Sequence, residues 1–155
     1  MVVFLMRHGD AAFDACKDSE RQLSLQGRRE AQKTGQILAG ETAQVDLVLV
    51  SPYLRAQQTW QLVRYEINPP GKIVVLDELT PESDPALTAS LISAMAEVQQ
   101  AKTVLVVAHM PLLGYLCTEF VAGIEPPLFA TAGLAKINGM DNGQLVSMTA
   151  PQNAI

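Results

Sequence analysis

The sequence contains two histidines, and both stand at the end of a short apolar run rich in β-forming residues. His8 follows residues 2–6 and Arg7, and His109 follows residues 103–107 and Ala108. A third run of this kind, residues 45–50, is closed by Ser51-Pro52, with Arg55 one helical turn further on. In open α/β sheets ligands bind beyond the carboxyl ends of the strands, so all these residues fall where a site is expected. Histidines used as caps or gap fillers would scatter without regard to strand ends. The residue types also suit one chemistry. Arginine offers a planar fork that donates two parallel hydrogen bonds to phosphate oxygens and keeps its charge. A neutral imidazole nitrogen attacks phosphorus when an acceptor holds the other ring nitrogen. Gly9 leaves room for backbone to close on a ligand. A helix starting at Pro111 would add free backbone N–H groups and a positive dipole end. Arg7, His8, Arg55 and His109 together read as a phosphate pocket, in which rate comes from positioning and neutralising a transferring phosphoryl group.

For these residues to meet, their strands must lie in one sheet. Residues 2–6, 45–50 and 103–107 are continuous apolar runs, the mark of strands buried on both faces, and residues 73–76 read as a further short strand. Helical patterns separate them. Ser24 can cap a helix through Ala31, Ile37 and Leu38 with Gly40 as its stop. A second helix runs through Leu54, Gln58, Leu62 and Tyr65 and is closed by Asn68-Pro69-Pro70-Gly71. Asp84-Pro85 opens a third, in which Leu87, Leu91, Ala94, Met95 and Val98 mark the apolar face. A fourth, apolar helix follows His109 through Leu112, Leu116 and Phe120. Residues 134–137 and 145–148 flank Asp141-Asn142-Gly143, a hairpin signal. The alternation predicts a three-layer α/β/α sandwich with a mostly parallel central sheet and an antiparallel edge, in a single domain spanning residues 1–155.

Composition narrows the partners. The 155 residues are 48% apolar and 17% charged, a globular balance. The formal net charge of −5 and the lack of any Lys/Arg-rich run argue against nucleic acid. No run approaches the roughly 18–20 apolar residues of a membrane span, and residues 1–6 are too short for a signal-peptide core, so no membrane partner and a cytoplasmic location are expected. Cys16 and Cys117 form no CxxC pair and read as two free thiols. No HxxxH, HExxH or paired-cysteine spacing is present, so neither a metal nor another cofactor is expected. Trp60, Leu116 and Cys117 read as core. A monomer is favoured, though nothing in the sequence determines the oligomeric state.

Leu5-Met6-Arg7-His8-Gly9 after an N-terminal strand resembles the Arg-His-Gly signature of the histidine phosphatase superfamily, which includes the phosphoglycerate mutases. The likeness continues in Leu23-Ser-Leu-Gln-Gly27, in Val50-Ser-Pro-Tyr-Leu-Arg-Ala-Gln-Gln-Thr59 and in Val106-Val-Ala-His109, in the same order along nearly the whole chain. The Arg-His-Gly-Asp start, Glu78-Leu-Thr-Pro81, the His-x-Pro-Leu-x-Gly-Tyr stretch at 109–115 and the short length are similar to the small SixA-type phosphohistidine phosphatases. The resemblance implies a phosphoglycerate mutase-like fold and a nucleophilic His8 that becomes phosphorylated, with Arg7, Arg55 and His109 binding the phosphoryl oxygens. It also implies a phosphohistidine-containing partner, either a phosphotransfer domain or a sugar-phosphotransferase carrier.

Three residues are left with more than one reading. Glu78 matches the place of the superfamily's acid after the third strand, or is a solvated loop carboxylate. Arg21 reaches the phosphate, or lies in a polar surface loop. Asp10 orients His8 or Arg7, serves as the proton donor in place of Glu78, or caps a turn. Small-molecule members of the superfamily tend to carry a long insertion around the third strand, whereas here only residues 77–83 separate it from the next helix. An open, shallow site suits a phosphorylated side chain presented by another protein. The rival readings are a phosphomonoesterase or mutase on small metabolites, which predicts a closed pocket, and a non-catalytic phosphoprotein-binding module, which predicts loss of the nucleophile.

Overall fold

The computed structural model describes residues 1–153. Its central sheet has six strands, β1 (Val2–Arg7), β2 (Leu47–Val50), β3 (Lys72–Val75), β4 (Thr103–Ala108), β5 (Leu134–Asn138) and β6 (Gln144–Thr149). Their order across the sheet is β3-β2-β4-β1-β5-β6. The first four strands pair in parallel, while β5 and β6 run antiparallel at one side. Four helices, α1 (Leu25–Glu41), α2 (Leu54–Val63), α3 (Pro85–Val98) and α4 (Leu112–Phe120), complete the layers. Leu38, Trp60 and Val63 of α1 and α2 bury against Phe4, Val48 and Leu105 on one face of the sheet. Ile92, Ala96, Leu113 and Leu116 of α3 and α4 bury against Val3, Leu49 and Val106 on the other. The expected sandwich with a mostly parallel sheet is therefore the fold observed. Among the described residues no helix is long and apolar enough to cross a membrane.

Local signals account for the starts of α1 and α3. Ser24 caps α1 by accepting from the Gly27 N–H at 3.0 Å. Asp84 caps α3 by accepting from the Ala86 and Leu87 N–H groups, with Pro85 as first residue. The helix ends differ from expectation at two points. Gly40 does not stop α1, which runs on to Glu41 and closes with the Thr42 N–H on the Leu38 carbonyl. Tyr65 lies beyond α2 and is exposed. The hairpin between β5 and β6 forms as expected, though its connection takes all of residues 139–143, with Gly139 and Asn142 at positive φ.

The apolar face of α3 follows its pattern only in part. Leu91 and Met95 pack against the core, while Leu87 is 61% and Val98 79% exposed and the buried positions are Thr88, Ala89, Ile92 and Ala96. The buried face is thus turned from the expected stripe towards a side that includes two alanines.

Candidate active site

The strand register brings the two histidines together. β1 and β4 pair with Arg7 opposite Ala108, so His8 and His109 leave the sheet side by side. The His8 N–H donates to the Ala108 carbonyl at 3.1 Å, and the ring centroids are 5.1 Å apart. On the other side of β4, β2 ends at Val50, and the Ser51 N–H donates to the Val107 carbonyl at 3.0 Å. Arg55 stands in the first turn of α2, buried, and its Nε–H reaches His8 Nε2 at 3.3 Å. Neighbouring strands thus converge four side chains from positions 7, 8, 55 and 109.

Hydrogen bonding specifies which nitrogen of His8 is free. His8 Nδ1 lies 2.7 Å from the Gly9 carbonyl, an acceptor only, so Nδ1 carries the proton and Nε2 the lone pair. The Arg55 Nε–H, which can only donate, points at that lone pair. For His109, Nε2 shares a 2.7 Å hydrogen bond with the Ser51 hydroxyl, which also accepts from the Tyr53 N–H. Among the described residues, His109 Nδ1 and Arg7 Nε are the two buried side-chain nitrogens without a hydrogen-bond partner. A buried polar group left unsatisfied costs about 1–3 kcal/mol, so both are poised to meet a ligand.

Burial keeps both rings neutral. Desolvation, reinforced by the nearby arginines, pushes His8 down to about 4 against a weaker opposing pull from the Gly9 carbonyl. Burial, together with His8, Arg55 and Arg7, pushes His109 down to about 2. A neutral His8 is the nucleophilic form.

Around this centre the remaining predicted residues take other places. Arg7 Nη1 donates to the Phe129 carbonyl at 2.8 Å. The Arg21 guanidinium is engaged at all three nitrogens, by the carbonyls of Ala11 and Ala12 and by the Asp18 carboxylate, and it stacks on Phe13. The Asp10 carboxylate accepts from the Ser24 hydroxyl at 2.7 Å, which ties it to the start of α1 rather than to His8 or Arg7. Glu78 is half-buried on the turn Asp77–Leu79, whose Glu78 carbonyl accepts from Thr88. Gly9 proves to be required by protein contact rather than by ligand approach: a Cβ there would lie 2.4 Å from the Gly27 carbonyl oxygen.

Sequence reasoning missed Asp18, Tyr53 and Glu30. Asp18 takes both terminal nitrogens of Arg55, through its carbonyl at 2.7 Å and its carboxylate at 3.2 Å. Burial would raise its pKa, but the hydrogen bonds from Arg21 and Arg55 outweigh that and hold the carboxyl below its usual value. Tyr53 packs its ring edge against His109 and lies under the Arg55 guanidinium. Buried Glu30 accepts from the Asp10 N–H, Thr131 and Gln152 and so joins the Gly9–Asp10 turn to two distant segments. Tyr53 sits inside a stretch already singled out around Arg55. Asp18 and Glu30 have no comparable signal, being carboxylates in a polar loop and on a helix.

The profile of the histidine phosphatase superfamily (branch 1) matches residues 3–81. The phosphohistidine phosphatase SixA of Escherichia coli is 41% identical over 143 residues, 92% of this chain and 88% of that protein. A SixA homolog from Haemophilus influenzae is 30% identical over 144 residues, 88% of this chain and 87% of its own. A solved structure of the protein histidine phosphatase SixA complexed with tungstate superposes with a TM-score of 0.92 at 40% identity, covering 99% of each chain. With such likeness along most of its length, the chain belongs to the histidine phosphatase superfamily.

Proposed function

We propose that the protein is a phosphohistidine phosphatase that removes phosphate from a phosphorylated histidine of a partner protein through a phosphorylated His8. The observation that carries the reading is the hydrogen-bonded tautomer of His8, with Nδ1 held by the Gly9 carbonyl and the Nε2 lone pair directed into the site. In the first step that lone pair forms a bond to phosphorus as the bond from phosphorus to the partner's imidazole breaks. The leaving imidazole nitrogen takes up a proton. In the second step water attacks the phosphoryl group, the bond to His8 Nε2 breaks, orthophosphate departs and the water's proton is released. Arg7, Arg55 and His109 stabilise the phosphoryl oxygens, and Arg55 Nε gives up its contact with His8 Nε2 when phosphorus arrives.

Several features support this assignment. The similar structure was solved with tungstate, a tetrahedral oxyanion. The connection between β3 and α3 is short, so the site lies open to a side chain from another protein. Glu78 is the proton donor in this reading, since the Asp10 carboxylate is engaged by Ser24. Imidazole is a better leaving group than an alkoxide, so the demand on that donor is modest. The partner would be a phosphotransfer domain or a phosphocarrier, in the cytoplasm.

Purified protein incubated with both kinds of partner, phosphorylated on histidine, tests the reading. The wild type should release orthophosphate and form an acid-labile, alkali-stable phosphoenzyme, and His8→Ala should do neither. Turnover surviving in His8→Ala would sink the covalent mechanism.

A further inference from the structure

Asp18 places a carboxylate against an arginine of an anion site. Its side chain is 58% exposed while that of Arg55 is buried, and in a chain of net charge −5 its field opposes an incoming phosphoryl group. A carboxylate so placed needs an offsetting use, and the way it holds Arg55 supplies one.

The Arg55 guanidinium is constrained on three sides. The Asp18 carbonyl accepts from Nη1 at 2.7 Å and the Asp18 carboxylate from Nη2 at 3.2 Å, so protein closes the end of the fork. The Tyr53 ring lies against its flat face, 5.0 Å from the guanidinium carbon to the ring centroid. The Nε–H is left directed at His8 Nε2, 3.3 Å away. Asp18 is itself fixed. Its other carboxylate oxygen accepts from Arg21 Nη1 at 3.2 Å, and its carbonyl also accepts from the Arg21 backbone N–H at 3.3 Å. Arg21 Nε and Nη2 are in turn anchored on the carbonyls of Ala12 and Ala11.

An arginine meets a phosphate end-on, through both terminal nitrogens, or side-on, through Nε and one of them. With the end engaged by Asp18, the side is what Arg55 offers to the site. We infer that Asp18 is a positioning residue, which turns Arg55 so that its Nε edge faces phosphorus as the phosphoryl group moves onto His8. Arg21 acts one step further out, by holding Asp18. Without the grip the end of the fork swings free, and Nε leaves the line of the nucleophile. The reaction named here rests on the phosphohistidine phosphatase reading, whereas the geometry of Arg55 is testable by oxyanion binding alone.

Two effects of Asp18→Ala have opposite signs. Removing a negative charge beside the site strengthens oxyanion binding, whereas releasing Arg55 weakens it. The experiment measures tungstate affinity by calorimetry, and kcat and KM on a histidine-phosphorylated protein. The variants are Asp18→Ala, Asp18→Asn, Arg55→Ala and the double variant Asp18→Ala/Arg55→Ala. Asp18→Ala should weaken tungstate binding roughly fivefold or more and lower kcat roughly tenfold or more. Asp18→Asn keeps an oxygen that accepts from Nη2 and should recover most of both losses. Removing Asp18 when Arg55 is already absent should cause no further loss, the mark of a residue that works through another. The positioning role is overturned if Asp18→Ala binds tungstate as tightly as the wild type or more tightly. An additive loss in the double variant, or an Asp18→Asn no better than Asp18→Ala, overturns it equally. A wild type that shows the tungstate pattern but releases no phosphate from the phosphoprotein would overturn the phosphatase reading alone.

Discussion

Helices α1 and α3 cover opposite faces of the same sheet and are held in different ways. The start of α1 is fastened to the Gly9–Asp10 turn by backbone contact and by directional bonds. Gly27 lies so close that a Cβ on it would sit 2.0 Å from the Asp10 carbonyl oxygen, and Ser24 and Glu30 both hydrogen-bond Asp10. Helix α3 is held chiefly by burial of Ala89, Ile92 and Ala96, with Leu87 and Val98 left outside. One attachment fixes the turn that follows His8. The other supplies stability and tolerates imprecision. Hydrophobic burial is non-directional, so it serves where area matters, while hydrogen bonds and close backbone contact serve where geometry does.

Ile92→Ala should produce the largest loss of stability, about 2–5 kcal/mol, because Ile92 is fully buried and its removal leaves a cavity. Urea unfolding would measure it, and the folded fraction should keep near-normal turnover. Gly27→Ala should cost less, about 1–3 kcal/mol. It should nevertheless lower kcat tenfold or more, since the methyl group must push α1 or the Asp10 turn aside. Equal turnover in the two variants would erase the contrast between the faces.

The third expectation concerns the two histidines, which are the only ones in the chain. With His8 held down to about 4, its imidazole resonances should not titrate near 6.5, and His109→Gln assigns them. An unfolded histidine titrates near 6.5, so between about pH 6.5 and 4 the unfolded chain binds a proton that the folded chain refuses. The corresponding stability is therefore fully present above pH 6.5 and is lost as pH falls towards 4. A His8 resonance moving at pH 6.5 would place the ring in water-like surroundings. The smallest effect belongs to Gly40→Ala, at the end of α1 away from the site, where a Cβ meets nothing within 4 Å. It should raise stability by about 0.5–1 kcal/mol, read as a higher urea midpoint, with turnover unchanged.

Much of the site could be read in advance because its members follow strand ends. His8 and His109 come at the ends of apolar runs and Arg55 in the helical turn after one, and parallel pairing brings such ends to one edge whatever the strand order. Asp18 could not be read this way. It meets Arg55 across 37 positions of chain, from a loop whose path depends on Arg21 gripping the carbonyls of Ala11 and Ala12. The buried face of α3 was legible only in part, because Leu91 and Met95 of the apolar stripe reach the core while Leu87 and Val98 stay exposed and Ala89 and Ala96 are buried in their stead.

By itself the sequence determined which elements form, that they layer as an α/β/α sandwich, and which four side chains gather at the strand ends. Those outcomes follow from local pattern and from parallel pairing, which act over short stretches and repeat along the chain. Only the tertiary structure decided the proton position on His8, the tether of Arg55 by Asp18, and the exposure of Phe13 and Leu128. Each of these depends on where a single carbonyl, hydroxyl or guanidinium from a distant segment comes to rest, and no periodicity encodes that.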